Sequence, residues 1–265
     1  GGESMDERAF EPLPEALLED WLRVPTDRRM GALFEAFRRG YSVEDVRDMS
    51  GGITRWFLHR FENMAAIETE IRAAGEIGLP PADVPEAEMR LWKGAGFTDL
   101  HIADALAGFP ASGFKQLPEG ADEFAVTASR HQLGIHPVFR MVDSCAAEFA
   151  ALTPYYYTTY EGGSVPGGID YVPGLNESLK QRIVVIGSGP IRIGQGIEFD
   201  YGCVHAVGAI RDMGHEAIII NNNPETVSTD FDTSDRLYFD PLTLESVSEV
   251  LLREKAHGIL LQFGG

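Results

Sequence analysis

The sequence predicts an all-α region followed by an α/β region built on a parallel sheet. Three observations carry this. Apolar residues recur at helical spacing through the first half, and no strand-like alternation persists there. A stretch rich in Gly, Pro, Ser and Tyr, "TPYYYTTYEGGSVPGGIDYVPGLNES", interrupts the chain. After it, short β-branched runs alternate with helical runs of about 10–15 residues, which implies crossover connections and parallel strands. The boundaries read from the sequence are a helical domain over 5–160, an exposed connector over 161–180 and an α/β domain over 181–265. No internal repeat shows at a fixed period.

In chain order, "RRMGALFEAFRRG" places Met30, Leu33, Phe34 and Phe37 on one helical face, with Gly40 as its stop. Ser42 is positioned as an N-cap with acidic residues after it. "ITRWFLHRFENMAAIE" repeats the spacing with Ile53, Phe57, Phe61 and Met64. Two shorter helical pieces close at Gly94 and Gly108. From about Val138 the pattern weakens, and the tyrosines at 155–157 and 160 read as packing residues. "RIVVIG" is a buried strand. "DYGCVHAVGAIRDMG" is a helix with Asp200 as cap, an apolar face of Cys203, Val207 and Ile210, and Gly214 as stop. "EAIIINNN" and "RLYFD" are further strands, "TLESVSEVLLREKA" is a helix capped by Thr243, and "GILLQFGG" is a final strand.

Composition limits the function. The chain has 265 residues, 44% of them hydrophobic and 10% aromatic, which suits folded cores. No apolar run approaches the ~18 residues of a membrane-spanning helix. The acidic N-terminus lacks the apolar core of a signal peptide, and the residues before Met5 read as an appended tag. Asp and Glu number 41 against 22 Lys and Arg, a net charge of −19. A surface so acidic repels phosphate backbones and anionic lipid, which argues against nucleic-acid and membrane partners. The two cysteines, Cys145 and Cys203, lie in no metal or redox spacing and read as buried thiols of a reducing compartment.

The glycine-rich turn after "RIVVIG" decides the chemistry. A dinucleotide fingerprint needs G-x-G-x-x-G, and Gly187 and Gly189 fit, but Arg192 stands at the third glycine. The following strand ends in Asn221, Asn222 and Asn223, with no acidic residue for a ribose. A Walker loop needs G-x-x-x-x-G-K-[ST]; Gly189 and Gly194 have the spacing, but Gln195 and Gly196 replace the lysine and the hydroxyl. Neither nucleotide reading survives. What remains is a turn carrying Arg192, Gln195, Glu198 and Asp200, and a second turn carrying Glu225 after Pro224. Both lie at strand carboxyl ends, where open α/β sheets bind ligands. Arg192, Glu198 and Glu225 at one rim would make a mixed-charge pocket or passage for a small polar species. Each also has a plainer explanation: Glu198 favours a helix dipole, Arg192 is solvated, and Glu225 is a turn residue. The carboxylates of "TDFDTSD" lack the glycine and distal glutamate of a calcium loop, and no histidine pair has zinc spacing, so no metal site is assigned.

Several long motifs resemble a known family. "PVFRMVDSCAAEFAA", "GSGPIRIGQGIEFDYGCVHA" and "NNNPETVSTDFDTSDRLYF" are similar to the large subunit of glutamine-dependent carbamoyl-phosphate synthetases. "DRRMGALFEAFRRGYSVEDV" and "WFLHRFENM" resemble its helical oligomerisation domain; the match weakens over 110–132. The resemblance covers nearly the whole chain. It implies an oligomerisation domain followed by a Rossmann-like, pre-ATP-grasp subdomain of the second synthetic half, ending before the ATP clamp. It implies an ATP-dependent carbon–nitrogen ligase of arginine and pyrimidine biosynthesis, working with a glutamine amidotransferase small subunit and with other large subunits. ATP and Mg or Mn belong to the full-length enzyme; no catalytic or cofactor-binding residue is assigned here, and the fragment alone is expected to be inactive. By motif match, Arg192, Glu198 and Glu225 resemble residues lining the family's carbamate passage. The alternative is a non-catalytic helical association module joined to a Rossmann-like domain of unrelated function. An NAD-linked protein is disfavoured by Arg192 and Asn221.

Overall fold

The structure is a computed structural model that describes residues 13–108, 123–145, 148, 153–160, 179–190, 192 and 194–261. It divides into two compact units, 1–135 and 136–265.

The first unit is helical: α1 (Glu15–Arg23), α2 (Arg29–Arg38), α3 (Val43–Met49), α4 (Arg55–Glu76), α5 (Glu86–Gly94), α6 (Asp99–Leu106) and α7 (Glu123–Gln132). Its core gathers Leu18, Leu22, Leu33, Phe37, Val46 and Leu58. Two predicted faces are rotated. In α2, Leu33 and Phe37 are buried with Ala32 and Ala36, while Met30 is exposed. In α4, Leu58 and Ala65 face inward and Phe57 faces out beside Trp56. Small alanines set these faces, and a count of large apolar residues overlooks them. Ser42 caps α3 in a reciprocal box with Asp45, as expected. Gly94, predicted as a stop, is the last residue of α5, and the left-handed position after it falls to Gly96, with φ +96°. A Cβ on Gly75 of α4 would lie 2.2 Å from the Leu106 carbonyl oxygen, so glycine is what lets α4 meet the end of α6. Asp99, fully buried, receives hydrogen bonds from Lys93, Thr127 and Arg130. Burial opposes its charge, but Arg130 and Lys93 hold its carboxyl below the usual range.

The second unit holds a sheet of β1 (Val138–Met141), β2 (Tyr155–Thr159), β3 (Arg182–Gly187), β4 (Glu216–Asn221), β5 (Arg236–Phe239) and β6 (Gly258–Leu260), with α8 (Glu198–Asp212) and α9 (Leu244–Glu254). The strand order is β1-β2-β5-β4-β3-β6, parallel except for the antiparallel β1–β2 pair. The α + α/β class is therefore as predicted, but the helical domain does not reach 160. Residues 138–141 and 155–159 are strands of the sheet. Their aromatic and threonine content suits a pleated surface, and Tyr156 packs 5.6 Å from Tyr238 while Tyr155 packs 5.4 Å from Phe239. The connector read at 161–180 lies outside the described residues except at its end.

Strand alternation sorts the core onto two faces. Ala217 and Ile219 join Val185, Leu237 and the α8 residues Cys203, Val207 and Ile210. Ile218 and Ile220 join Val184, Tyr238 and Val250 of α9. The chain steps from β3 through β4 to β5, then returns across the sheet to β6 beside β3. That reversal places a topological switch point at β3, and the crevice of such a sheet opens beyond the strand carboxyl ends. The glycine-rich turn begins there.

The opposite, amino-terminal edge is a closed ionic cluster. Arg236 donates to Glu254 at 2.9 Å and to Glu216 at 2.7 Å, and Arg182 donates to Glu216 at 3.2 Å. Arg182 also donates to the Glu254 carbonyl at the end of α9, and the Tyr238 hydroxyl donates to the Glu254 carboxylate. Glu254 is fully buried, and a carboxylate at a helix carboxyl end opposes the helix dipole. Two guanidiniums beside it answer both costs: Glu254 Oε2 makes no hydrogen bond but lies 3.8 Å from Arg182 Nε. Burial opposes the Arg236 charge, yet Glu254 and Glu216 hold its pKa above the usual value.

Candidate functional site

The β3–α8 turn leaves the sheet at Gly187. A Cβ there would lie 2.9 Å from Cys203 Sγ and 3.0 Å from Asn221 Nδ2. The glycine therefore lets helix α8 and the Asn221 carboxamide close onto the strand end. With Gln195 and Gly196 in the lysine and hydroxyl positions, the residues present do not fit ATP or a dinucleotide.

Asp200, predicted as the cap of α8, does not cap it. The helix begins two residues earlier at Glu198, on Ile197, whose side chain makes no capping bond. Asp200 sits in the first turn, buried, and reaches across to the β4–β5 loop. Its two oxygens accept from the Val227 and Ser228 amides at 2.8 and 2.9 Å. Ser188 donates to Asn222 Oδ1 at 3.0 Å. The glycine-rich turn and the loop carrying Glu225 are thus fastened together at two points. Asn223 Oδ1 accepts from the Glu225 amide at 3.0 Å, which shapes the turn after Pro224.

The three predicted site residues lie at this carboxyl edge. Arg192 is in the first turn, Glu198 opens α8, and Glu225 is in the second loop; all three side chains are exposed. None forms an ion pair among the described residues. Glu198 folds back so that its Oε2 lies 3.1 Å from the position of a Gly196 Cβ. The structure joins the loops that carry these residues. It forms no direct bond between Arg192, Glu198 and Glu225.

Sequence reasoning missed two buried polar groups at the same edge. Asn221, 1% exposed, uses Oδ1 to accept the Asn223 amide, but its Nδ2 has no partner among the described residues. Asp240, at the end of β5, accepts from the Thr158 amide and hydroxyl on Oδ1, while Oδ2 has no partner among the described residues. Burial pushes the Asp240 carboxyl up to about 6 despite the Thr158 bonds. A polar residue ending a run such as "EAIIIN" was the only sequence signal for either. Of the two thiols, Cys203 is buried as expected and pushed up to about 11 by burial and then by Asp200, whereas Cys145 is only partly buried.

Fold and site together define a helical module and a doubly wound, Rossmann-like layer with a polar carboxyl edge. Residues 179–265 match the carbamoyl phosphate synthase preATP-grasp domain, and residues 2–133 match the oligomerisation domain of the carbamoyl-phosphate synthetase large chain. The chain is 45% identical over 256 residues to the carbamoyl phosphate synthase large chain of Methanothrix thermoacetophila, covering 97% of this chain and 21% of that protein. It is 44% identical over 251 residues to that of Myxococcus xanthus, covering 95% and 21%. The chain belongs to the carbamoyl phosphate synthase large-chain family. It spans about a fifth of the length of these relatives. Strands β1 and β2 lie between the two matched segments yet complete the second unit's sheet. Among the described residues, no helix is long and apolar enough to cross a membrane.

Proposed function

We propose that this chain is the part of a glutamine-dependent, cytoplasmic carbamoyl-phosphate synthetase large chain that contributes subunit association and one wall of the carbamate passage. The whole enzyme joins bicarbonate and glutamine-derived ammonia at the expense of ATP, with Mg or Mn and an amidotransferase small subunit. The observation that carries the passage reading is the fastening of the Glu198 turn to the Glu225 loop through Asp200. It brings two carboxylate-bearing loops to one edge beside an arginine. Carbamate is small, anionic and labile, and fixed groups in a water-poor conduit would hold it from bulk hydrolysis. Arg192 supplies the attraction, and Glu198 and Glu225 keep that attraction from becoming a trap.

In the full-length enzyme, Arg192→Ala and Glu198→Gln are expected to raise the ATP hydrolysed per carbamoyl phosphate formed. An unchanged ratio in both variants removes the passage role. The isolated 265-residue chain is expected to form no carbamoyl phosphate from ATP, bicarbonate and ammonia.

A second reading, a non-catalytic association module, is favoured by the exposed aromatic pair Trp56 and Phe57 on α4, 59% and 54% exposed. The same pair supports self-association within the first reading. Sedimentation tests association in both readings: a strict monomer at high concentration counts against it in either.

A further inference from the structure

Glu198 and Glu225 lie on different elements, and a third carboxylate ties those elements together. Asp200 follows Glu198 in the first turn of α8 and is 7% exposed. An acidic residue in that position ordinarily serves its own helix, through a cap or through the dipole. Asp200 instead turns both oxygens toward the β4–β5 loop. They accept from the Val227 amide at 2.8 Å and the Ser228 amide at 2.9 Å. These are the first amides of a 3-10 helix, Val227–Thr229, and a helix start leaves such donors without internal partners. Glu225 precedes that helix, and its own amide donates to Asn223 Oδ1 at 3.0 Å. The backbone is therefore held on both sides of Glu225. Hydrogen bonds to a carboxylate are shorter and stronger than neutral ones, so the clasp is stiff.

The same loop meets the same helix a second time, away from both glutamates. Arg211, in the last turn of α8, donates to the carbonyls of Asp232 and Thr233 at 3.0 and 2.9 Å. At 1.5 Å per residue, that contact lies roughly 16 Å further along the helix than Asp200. Ser188 holds Asn222 at 3.0 Å, which ties the loop to the end of β3 and not to α8. The clasp that joins the Glu198 turn to the Glu225 turn is thus the one Asp200 makes.

We propose that Asp200 is a positioning residue for carbamate transfer, holding Glu198 and Glu225 at a set spacing so that the two carboxylates act as one unit. The proposal rests on the passage reading. Asp200 touches no substrate in this role and works through its neighbours. A shift of about 1 Å in a positioned group can slow an enzyme step on the order of 100-fold, so a loosened clasp has a measurable consequence.

The test is the ATP hydrolysed per carbamoyl phosphate formed by the full-length enzyme, read beside the urea unfolding of each variant. Asp200→Asn keeps the side-chain volume but replaces one acceptor oxygen with a donor. It is expected to raise the ratio about twofold or more. Val227→Pro removes a single amide donor and leaves the carboxylate in place. Proline suits the first position of a helix, and Thr226 before it is already extended, at φ −137° and ψ 159°. This variant should raise the ratio by a smaller factor, and it tests the role even if Asp200→Asn does not fold. Arg211→Met loosens the same loop from the same helix at the far end and should leave the ratio at the parent value. Asp200→Asn added to Glu198→Gln and Glu225→Gln should raise the ratio no further than those two together, because Asp200 acts through them.

A parent ratio in both Val227→Pro and folded Asp200→Asn overturns the proposal. So does an equal rise in Arg211→Met, or a full additional rise in the triple variant. The two readings fail separately. If Arg192→Ala and Glu198→Gln raise the ratio while Asp200→Asn and Val227→Pro do not, the passage stands and only the positioning role is removed. An unchanged ratio in Arg192→Ala and Glu198→Gln removes the passage, and the role of Asp200 with it.

Discussion

The two ends of the one parallel sheet are built on opposite plans. At the amino-terminal edge, Arg182, Glu216, Arg236 and Glu254 are drawn into mutual hydrogen bonds, and even a carboxylate at a helix carboxyl end is held by guanidiniums. At the carboxyl edge, among the described residues, Arg192, Glu198 and Glu225 stand exposed outside any ion pair, and two buried atoms, Asn221 Nδ2 and Asp240 Oδ2, lack partners. Charges at one end are tied into the fold, and those at the other are left exposed. The same residue types serve both ends, so environment and partners separate the roles, not residue identity.

The largest expected effect lies at the closed end. Arg236→Met leaves Glu254 buried without its hydrogen-bonded cation and should cost about 3–5 kcal/mol. All three tryptophans, Trp21, Trp56 and Trp92, lie in the first unit, so hydrogen exchange at the Ile218–Ile220 amides is the suitable reading. Native-like protection there would show that the cluster is decorative.

The next effect has the opposite sign. Asp240 has its folded pKa raised from 3.8 to about 6, so its contribution favours the fold below the unfolded value and is lost as pH rises through about 6. The same exchange measurement should show the second unit gaining stability as pH falls from about 6 toward 4, over and above other groups. Asp240→Asn should abolish that component and stabilise the unit at pH 7 by at most about 3 kcal/mol. Asp99 in the first unit has a lowered pKa, so its contribution is present above the unfolded value and is lost on acidification below it. Equal pH responses from the two aspartates would contradict the contrast between an ion-paired and an unpaired buried carboxyl.

The smallest stability effects belong to Arg192→Ala, Glu198→Gln and Glu225→Gln, each expected within about 0.5 kcal/mol of the parent in urea unfolding. A larger loss would mean that these side chains hold the fold after all.

The sequence made the alternation of β3, α8, β4, β5, α9 and β6 legible because short β-branched runs and a 3.6-residue period differ sharply. It also exposed the missing lysine and the missing acidic ribose ligand. It hid β1 and β2, since "YYYTT" beside a Gly- and Pro-rich stretch reads as coil until β5 offers a pairing edge at Leu237 and Tyr238. Met30 and Phe57 were misplaced because burial in α2 and α4 follows small residues whose partners come from other helices. Asp200 looked like a cap because the amides it serves, Val227 and Ser228, lie 27 and 28 residues away. Asn221 and Asp240 could not be singled out, because an unpartnered atom is a property of three-dimensional surroundings.

The division between the two ends is tested most directly by one stoichiometry. In the full-length enzyme carrying Arg192→Ala, Glu198→Gln and Glu225→Gln together, ATP hydrolysed per carbamoyl phosphate formed should rise well above the parent value, while the fold keeps its parent stability. A ratio equal to the parent's would show that the open end of the sheet conducts nothing.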